Sequence, residues 1–268
     1  MKTIFITGAS SGLGKATAKF FQAKGWKVIA TMRNPEKENE LNILPNVTLL
    51  PLDVTDEQQI EATAQKAIAS GKIDVVFNNA GYGLMGPVEA TSDEKIMKQL
   101  NTNLLGVIRV TKAFIPHFRE QKAGTFITTT SIGGLVAFPF ASIYHTTKWA
   151  LEGFNESVSF ELKQFGISVK TVSPGGITTD FTSRSLDLSN HASYDKSMGK
   201  IMQVLAGDSA TFQFSTADDI AAVVYEAATD GKDQLRYVAG EDAKALYAQR
   251  LEQGPEAFRK GVANMFLD

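Results

Sequence analysis

The sequence predicts an α/β protein with a parallel, doubly wound sheet of seven strands and helices on both faces, a Rossmann fold. Two observations predict it. Apolar, β-branched runs alternate with helical segments along most of the chain. These runs are near-continuous rather than alternating with polar residues, which is typical of strands that are covered on both faces. Strands that alternate with helices form parallel sheets.

The strands are predicted from the apolar runs and the helices from the segments between them. Each predicted helix is followed closely by a glycine, the residue that most often stands just beyond a helix end. The strands are expected at Thr3–Thr7, Val28–Met32, Val47–Leu50, Val75–Phe77, Thr125–Thr130, Val169–Val172 and Leu235–Val238. The helices are expected at Gly14–Lys24, Asp56–Ser70, Ser92–Gln121 and Ser142–Phe165.

No Pro-, Gly- or Ser-rich linker divides the chain, so we expect one domain over residues 1–268. Residues 180–214 differ from the rest, because they have weak periodicity and much Ser, Asp and Gly. A long irregular insertion in a compact domain is usually functional. We therefore expect a substrate lid at about 180–214.

Composition excludes several classes of protein. The net charge of −2 provides no positive field for nucleic acid or an anionic membrane, so neither is expected as a partner. The chain has no cysteine, which excludes disulfides and thiolate chemistry and agrees with a cytoplasmic location. No run approaches eighteen apolar residues, so we expect no membrane span. The three histidines are scattered, and no metal site is predicted.

A glycine-rich loop, TGASSGLG, follows the first strand directly. Gly8 allows a tight turn, Gly12 lets backbone amides approach a pyrophosphate, and Gly14 lets the helix pack on the strand. The next helix begins here, and its N-terminus offers unpaired N–H groups and a positive dipole end. The spacing GxxxGxG differs from the usual GxGxxG. A plain small-residue turn is the alternative, but the position favours dinucleotide binding.

A tyrosine and a lysine one helical turn apart form the candidate reactive pair. Tyr144 and Lys148 project from one helix face. A free tyrosine has a pKa near ~10, and a nearby ammonium lowers it toward the working range. Ser131 closes a strand, and ligands bind at the carboxyl ends of parallel strands. Its hydroxyl could orient a substrate oxygen toward Tyr144, although each of these residues alone has an ordinary structural explanation.

Together these motifs resemble the short-chain dehydrogenases/reductases, from Thr3 to about Tyr247. GYGLMGPVE and LRYVAGEDA carry a weaker resemblance to the hydroxysteroid- and retinol-type branch. In chain order, the matching residues are Gly8, Gly12 and Gly14, then Asn78-Asn79-Ala80-Gly81, Asn103, Ser131, Tyr144, Lys148, and Pro174-Gly175 followed by Thr179.

The resemblance implies an oxidoreductase that moves a hydride between a nicotinamide and a carbonyl/alcohol pair. It implies Asn103, Ser131, Tyr144 and Lys148 as the catalytic set, with Tyr144 as general acid/base and Asn103 holding a water in a relay through Lys148. It also implies that Asp53 bonds the adenine ring. The expected cofactor-binding residues are Gly8, Ser10, Ser11, Gly12, Leu13, Gly14, Arg33, Asp53, Val54, Asn79, Ala80, Gly81, Tyr144, Lys148, Pro174, Gly175, Ile177 and Thr179.

The end of the second strand predicts the cofactor. An NAD-preferring protein carries an acidic residue there for the ribose 2′-OH. Here Met32 takes that place and Arg33 follows it. Because an arginine can pair with a 2′-phosphate, we predict that NADP(H) is preferred over NAD(H). A surface arginine is the alternative, and Ser10 and Ser11 stand where some NADP-dependent relatives carry a basic residue.

The expected substrate is a predominantly apolar ketone or aldehyde. Three segments are expected to surround it: the one after NNAG, the one from Ser131 to Tyr144, and the lid at 180–214. The first two carry almost no charge, and a pocket without a fixed cation disfavours a substrate carboxylate or phosphate. Arg184, Lys196 and Lys200 in the lid could reach an anionic tail. The expected lining residues are Tyr82, Leu84, Met85, Leu135, Val136, Phe138, Phe140, Phe181, Leu186, Tyr194, Met198, Ile201 and Met202.

Two other functions stay open. A non-catalytic nucleotide sensor on the same fold would typically lack part of the catalytic set, which is complete here. An epimerase/dehydratase or a dehalogenase would depart from the glycine loop or from the chain length seen here. The resemblance further implies a homodimer or homotetramer built on the helices at 92–121 and 142–165.

Overall fold

The computed structural model describes residues 1–178, 186–205 and 214–266. Its central sheet has seven parallel strands in the spatial order β3-β2-β1-β4-β6-β7-β11. The order reverses between β1 and β4, which is where ligands bind in doubly wound sheets. The strands are β1 Thr3–Ile6, β2 Lys27–Met32, β3 Val47–Pro51, β4 Val75–Asn78, β5 Gly83–Met85, β6 Gly124–Thr129, β7 Ile167–Pro174, β8 Ile177–Thr178, β9 Leu186–Leu188, β10 Ser215–Thr216 and β11 Arg236–Ala239.

Helices cover both faces of this sheet, so the predicted fold class is confirmed. On one face, an apolar cluster joins Phe21, Trp26 and Val224 to the strands. On the other face, Phe114 and Phe126 belong to a second cluster. The helices are α1 Gly12–Ala23, α2 Glu57–Ala69, α3 Asp93–Leu100, α4 Gly106–Gln121, α5 Ser142–Lys163, α6 Asp195–Leu205, α7 Ala217–Thr229, α8 Glu241–Gln253 and α9 Pro255–Phe266.

The long helix predicted at Ser92–Gln121 is interrupted. Between α3 and α4 lies a π-helical turn at Asn101–Leu105, which contains the buried Asn103. Such turns accommodate an extra residue within a helix and occur frequently at functional sites. Apolar periodicity does not reveal a single extra residue of this kind.

The predicted lid is more regular than expected where the structure describes it. β9 pairs in parallel with β5, and α6 buries Met198 and Ile201. The expectation of an irregular segment is therefore wrong for residues 186–205. Residues 179–185 and 206–213 lie outside the described residues, and with them the predictions for Thr179, Phe181 and Arg184.

Two C-terminal helices, α8 and α9, were not predicted. They pack on the loop that follows β6 through a third apolar cluster, in which Ala243 and Phe258 meet Ile132, Leu135 and Val136. The chain end thereby covers the region between the candidate residues Ser131 and Tyr144. In the described ranges, no helix is long and apolar enough to cross a membrane.

Candidate active site

A cleft of about 1320 Å³ opens at the carboxyl ends of the central strands. One end is lined by the glycine loop and by Arg33 after β2, and the other by Phe138 and Phe266. Nearly all of the predicted cofactor-binding residues line this cleft. From the glycine loop to the last of them they are Gly8, Ser10, Ser11, Gly12, Leu13, Arg33, Asp53, Val54, Asn79, Ala80, Gly81, Tyr144, Lys148, Pro174, Gly175 and Ile177.

The glycine loop has the geometry that a pyrophosphate requires. Gly8 and Gly12 have φ angles of 69° and 52°, in the left-handed region that favours glycine. Ser11 caps α1 without a side-chain hydrogen bond, so its hydroxyl leaves the first N–H groups of the helix available. An anion fits here because these groups and the helix dipole both attract negative charge.

Gly14 does not line the cleft but is needed for its shape. A Cβ there would lie 2.3 Å from the Gly8 carbonyl oxygen and 2.5 Å from Asn79 Nδ2. Asn79 Nδ2 donates to the carbonyl oxygens of Thr7 and Gly8 at 3.1 and 3.2 Å. The Thr7 hydroxyl in turn accepts from the backbone N–H groups of Asn79 and Ala80. The segment after β4 thus fixes the glycine loop.

Ser131, Tyr144 and Lys148 meet at the centre of the cleft. Lys148 Nζ donates to the Thr129 carbonyl oxygen at 2.9 Å and lies 5.7 Å from the centre of the Tyr144 ring. The Ser131 hydroxyl lies near the Tyr144 phenol and acts to lower the pKa of that phenol. Ser131 Oγ also accepts from the Gly133 backbone N–H at 3.0 Å, which orients the hydroxyl.

Burial sets the proton affinities of this cluster. Burial raises the pKa of the Tyr144 phenol, and the nearby Ser131 hydroxyl opposes the rise. Burial lowers the pKa of Lys148 to about 8, although the Glu152 carboxylate acts in the opposite direction. With a pKa of about 8, Lys148 is mostly in its charged ammonium form at neutral pH. In the chain alone, burial raises the pKa of Tyr144, whereas the sequence led us to expect that Lys148 lowers it.

Asn103 lies in the π turn beside the segment that follows β4. Its Oδ1 accepts from the Tyr82 backbone N–H at 3.0 Å, and its Nδ2 donates to the Tyr82 carbonyl oxygen at 2.8 Å. Both ends of the amide therefore hold Tyr82. The role of Asn103 in a water relay stays a prediction.

Arg33 and Lys37 line the end of the cleft near the glycine loop, where Met32 is buried. Within the described ranges, neither Arg33 nor Lys37 forms an ion pair. Lys15 also lines this end, but it is paired with Glu38 at 3.0 Å and Glu40 at 2.8 Å. Two exposed cations thus follow Met32, which occupies the position where an NAD-preferring protein carries a carboxylate.

Asp53 is held in place from within its own loop. Its Oδ1 accepts from the Thr55 N–H at 2.9 Å and from the Thr55 hydroxyl at 2.7 Å. Its backbone N–H donates to Gln59 Oε1. Asp53 lines the cleft in this position, and its contact with adenine stays a prediction.

The substrate end contains only part of the predicted wall. Leu135 and Val136 turn away into the cluster beneath α8 and α9, and Phe140 packs on Tyr194 with ring centres 5.7 Å apart. Several residues predicted for the substrate site do not line the cleft, namely Leu84, Leu135, Val136, Phe140, Tyr194, Lys196, Met198, Lys200 and Met202. The predicted residues that do line it are Tyr82, Met85, Phe138, Leu186 and Ile201.

Asp242 is a functional candidate that sequence reasoning missed. Its Oδ2 accepts from the Gly176 N–H at 2.7 Å, and a Cβ on Gly175 would lie 2.2 Å from its Oδ1. Asp242 thereby fixes the backbone of the segment Pro174-Gly175-Gly176, which follows β7. The only sequence feature that could have indicated Asp242 was its place in LRYVAGEDA, where it is the second residue of α8. Phe214, Leu246 and Phe266 also line the cleft and had no motif to mark them.

Residues 2–189 match the family model described as short chain dehydrogenase. The chain belongs to this family. Oxidoreductase BOA17 of Botryotinia fuckeliana is 36% identical over 247 residues, which cover 90% of each chain. Human 17-beta-hydroxysteroid dehydrogenase type 1 is 30% identical over 93% of this chain and 80% of its own. Bovine retinol dehydrogenase 8 is 33% identical over 69% of this short-chain dehydrogenase and 62% of its own length.

Solved structures agree with this assignment. A short-chain dehydrogenase from Streptomyces avermitilis superposes with a TM-score of 0.87 at 31% identity, covering 98% of this chain and 95% of its own. ElxO with NADP bound superposes with a TM-score of 0.74 at 27% identity, covering 88% of this chain and 97% of its own. The chain is thus an oxidoreductase, similar to the hydroxysteroid- and retinol-type branch of the short-chain dehydrogenases.

Proposed function

We propose that this short-chain dehydrogenase reduces an apolar ketone or aldehyde with NADPH, and that Tyr144 is the proton donor. The observation that carries the proposal is the meeting of Ser131, Tyr144 and Lys148 in one cleft whose far end is the glycine loop. A dinucleotide held by that loop can extend toward these three side chains. The proposed catalytic residues and the proposed nucleotide site therefore lie in the same cleft.

Each side chain of the cluster has a distinct task. The nicotinamide, when bound, supplies a hydride to the carbonyl carbon. Ser131 Oγ donates a hydrogen bond to the carbonyl oxygen and orients it, and the Tyr144 phenol gives that oxygen its proton. Lys148 places an ammonium near the resulting phenolate and stabilises it, because opposite charges in a buried site attract strongly. The bond from Lys148 to the Thr129 carbonyl keeps the ammonium in reach of the ring.

The preference for NADPH is supported by charge at the adenosine end. A 2′-phosphate needs cations, and Arg33 and Lys37 line that end. Met32 provides no carboxylate for a 2′-OH. ElxO, which superposes on this chain, binds NADP.

The preference for an apolar substrate is supported by the walls of the other end. Met85, Phe138, Leu186, Ile201 and Phe266 line it. Apart from Lys148, the charged side chains of the described residues that line it are Asp187, Asp242 and the exposed Lys98. Two carboxylates and one solvated ammonium give a buried anion little compensation for lost hydration. Apolar contact contributes about 25 cal/mol per Å² and can hold a ring-sized substrate.

The test is the rate of NADPH oxidation with a matched panel of aryl ketones, cyclic ketones, keto acids and sugars. We expect the highest kcat/KM for the aryl and cyclic ketones. A clear preference for keto acids or sugars would refute the apolar assignment. Binding of NADPH without turnover of any compound would favour a nucleotide-sensing protein instead.

A further inference from the structure

His145, the residue after Tyr144, lies buried in the first turn of α5 and bridges the loop between Ser131 and Tyr144. Its Nδ1 lies 2.7 Å from the Gly133 carbonyl oxygen. Its Nε2 accepts from the Phe138 backbone N–H at 3.0 Å. Both ring nitrogens are thus used on the same loop.

These two contacts fix the tautomer of the ring. A backbone N–H only donates, so Nε2 carries no proton when it faces Phe138. The proton of the neutral ring is therefore on Nδ1, where it is donated to the Gly133 carbonyl. Burial lowers the pKa of His145, which favours this neutral form.

The Gly133 end of the bridge leads to the reacting groups. The N–H of Gly133 donates to Ser131 Oγ, and the carbonyl of the same residue receives the bond from His145. The turn is tight, because a Cβ on Gly133 would lie 2.8 Å from His145 Nδ1 and 3.3 Å from Tyr144 Cε1. A shift of the imidazole would move Gly133 and with it the serine hydroxyl.

The Phe138 end of the bridge leads to the substrate wall. Phe138 lines the cleft and packs edge-on against Phe266, with ring centres 6.0 Å apart. Its backbone N–H is held by His145. The imidazole therefore links the turn at Ser131–Gly133 to Phe138, which lines the cleft.

We propose that His145 is a positioning residue with two separable tasks: Nδ1–H holds the Ser131 turn for the chemical step, and Nε2 holds the Phe138 wall for substrate binding. The kinetic part of this inference rests on the proposed ketone reduction. The structural part, which is the tautomer and its two contacts, does not depend on turnover.

Two conservative variants separate the tasks. In His145→Asn, the amide Nδ2 can replace the Nδ1 donor to Gly133, but the side chain is too short to reach Phe138. In His145→Gln, the amide Oε1 can replace the Nε2 acceptor, while the contact with Gly133 is lost. With NADPH and α-tetralone we expect His145→Asn to raise KM about tenfold with little change in kcat, and His145→Gln to lower kcat about tenfold with little change in KM.

His117→Asn is the matched control. His117 Nε2 also accepts a backbone N–H, that of Ile73 at 3.3 Å, but it lies on α4 away from the cleft. This variant is expected to leave kcat and KM unchanged. The proposal is overturned if the two His145 variants change kcat and KM in the same proportion, or if neither changes them.

The tautomer provides a test without a substrate. The chain has three histidines, so the ring ¹⁵N signals of His145 can be assigned by their loss in His145→Asn. We expect the Nδ1–H form at neutral pH, and an Nε2–H form would overturn the proposal. If the wild-type protein reduces no ketone, the proposed function fails, and hydrogen exchange at the Phe138 amide decides the inference. Exchange is expected to be faster in His145→Asn than in His145→Gln, and equal rates would contradict the bridge.

Discussion

Burial raises the pKa of the Tyr144 phenol, and the nearby Ser131 hydroxyl acts against the rise. Replacement of Tyr144 by phenylalanine removes the proton donor and keeps the ring. We expect Tyr144→Phe to lower kcat about 10²- to 10⁴-fold, which is the usual contribution of a positioned acid, while the Kd for NADPH stays nearly unchanged. Stopped-flow turnover and nucleotide fluorescence measure the two quantities.

Tyr225→Phe is the control for that prediction, since Tyr225 packs on Phe21 and Trp26 away from the cleft. It should retain wild-type turnover. A near-wild-type kcat in Tyr144→Phe would show that the proton comes from another group.

Arg33 is the residue that most directly tests cofactor choice. If it binds the 2′-phosphate, Arg33→Ala should lower kcat/KM for NADPH about tenfold or more and leave NADH nearly unaffected, because a charge-assisted hydrogen bond is lost only with NADPH. Arg119→Ala, an exposed arginine near the end of α4, is the control. Equal losses with both nucleotides would contradict a phosphate contact.

The sequence pattern singled out the candidate residues but not the side chains that support them. Gly8, Ser131, Tyr144 and Lys148 are recognisable because their chemistry demands a residue type at a given spacing. Asp242 accepts from a backbone N–H 66 residues earlier in the chain. His145 contacts two backbone groups of the loop that precedes its own helix. Nothing in their local sequence indicates which carbonyl or N–H they will meet, so only the fold reveals them.

At the scale of elements, a buried ion pair links β7 and β11, at one edge of the sheet, to the end of α7. Lys170 on β7 donates to Asp230 beyond α7 at 2.7 Å, and Tyr237 on β11 donates to the same carboxylate at 2.7 Å. Burial would raise the pKa of Asp230, but these bonds outweigh it and lower the pKa to about 2. The carboxylate therefore stabilises the fold in its charged form.

This pKa predicts a pH dependence of stability. Because the folded-state pKa lies below the ordinary value of 3.8, the contribution is present above about pH 4 and is lost as the pH falls toward 2. Asp230→Asn should lower the free energy of unfolding by about 2 kcal/mol at neutral pH, and the difference from wild type should shrink in acid. Urea unfolding across this range measures it.

Asp233→Asn is the matched control, because Asp233 pairs with Lys163 at the surface and is 87% exposed. Its effect should stay within about 0.5 kcal/mol. A difference between Asp230→Asn and wild type that does not change with pH would show that packing, rather than charge, accounts for the loss.

The elements also show where sequence patterns stop being informative. The seven strands were predictable, since strands buried on both faces carry unbroken apolar runs. The π turn around Asn103 was not, because it adds one residue without disturbing the pattern. Helix α6 was missed because its apolar side consists of few residues, among them Met198 and Ile201, within a polar stretch.

At the scale of the whole molecule, the outer helices predict assembly. Large apolar side chains are exposed on α3 and α5, with Met97 at 51%, Trp149 at 42% and Phe160 at 73%. Burying this surface would stabilise a dimer or tetramer. We expect light scattering to give a dimer or tetramer for the wild type and a smaller species for Phe160→Glu, whereas Leu251→Glu on α8 should not change the mass. A monomeric wild type would contradict the assembly.

The C-terminal helices place Phe266 opposite Phe138, far along the chain from the glycine loop. Among the described residues, the predicted nucleotide-binding residues that line the cleft lie between Gly8 and Ile177, while Leu186, Ile201, Leu246 and Phe266 of the cleft wall come from the last third of the chain. Selection can therefore act on the two halves at different rates. Substitutions, or the exchange of a whole gene segment beyond residue 186, can change which substrates are accepted while the residues predicted to bind the nucleotide stay unchanged.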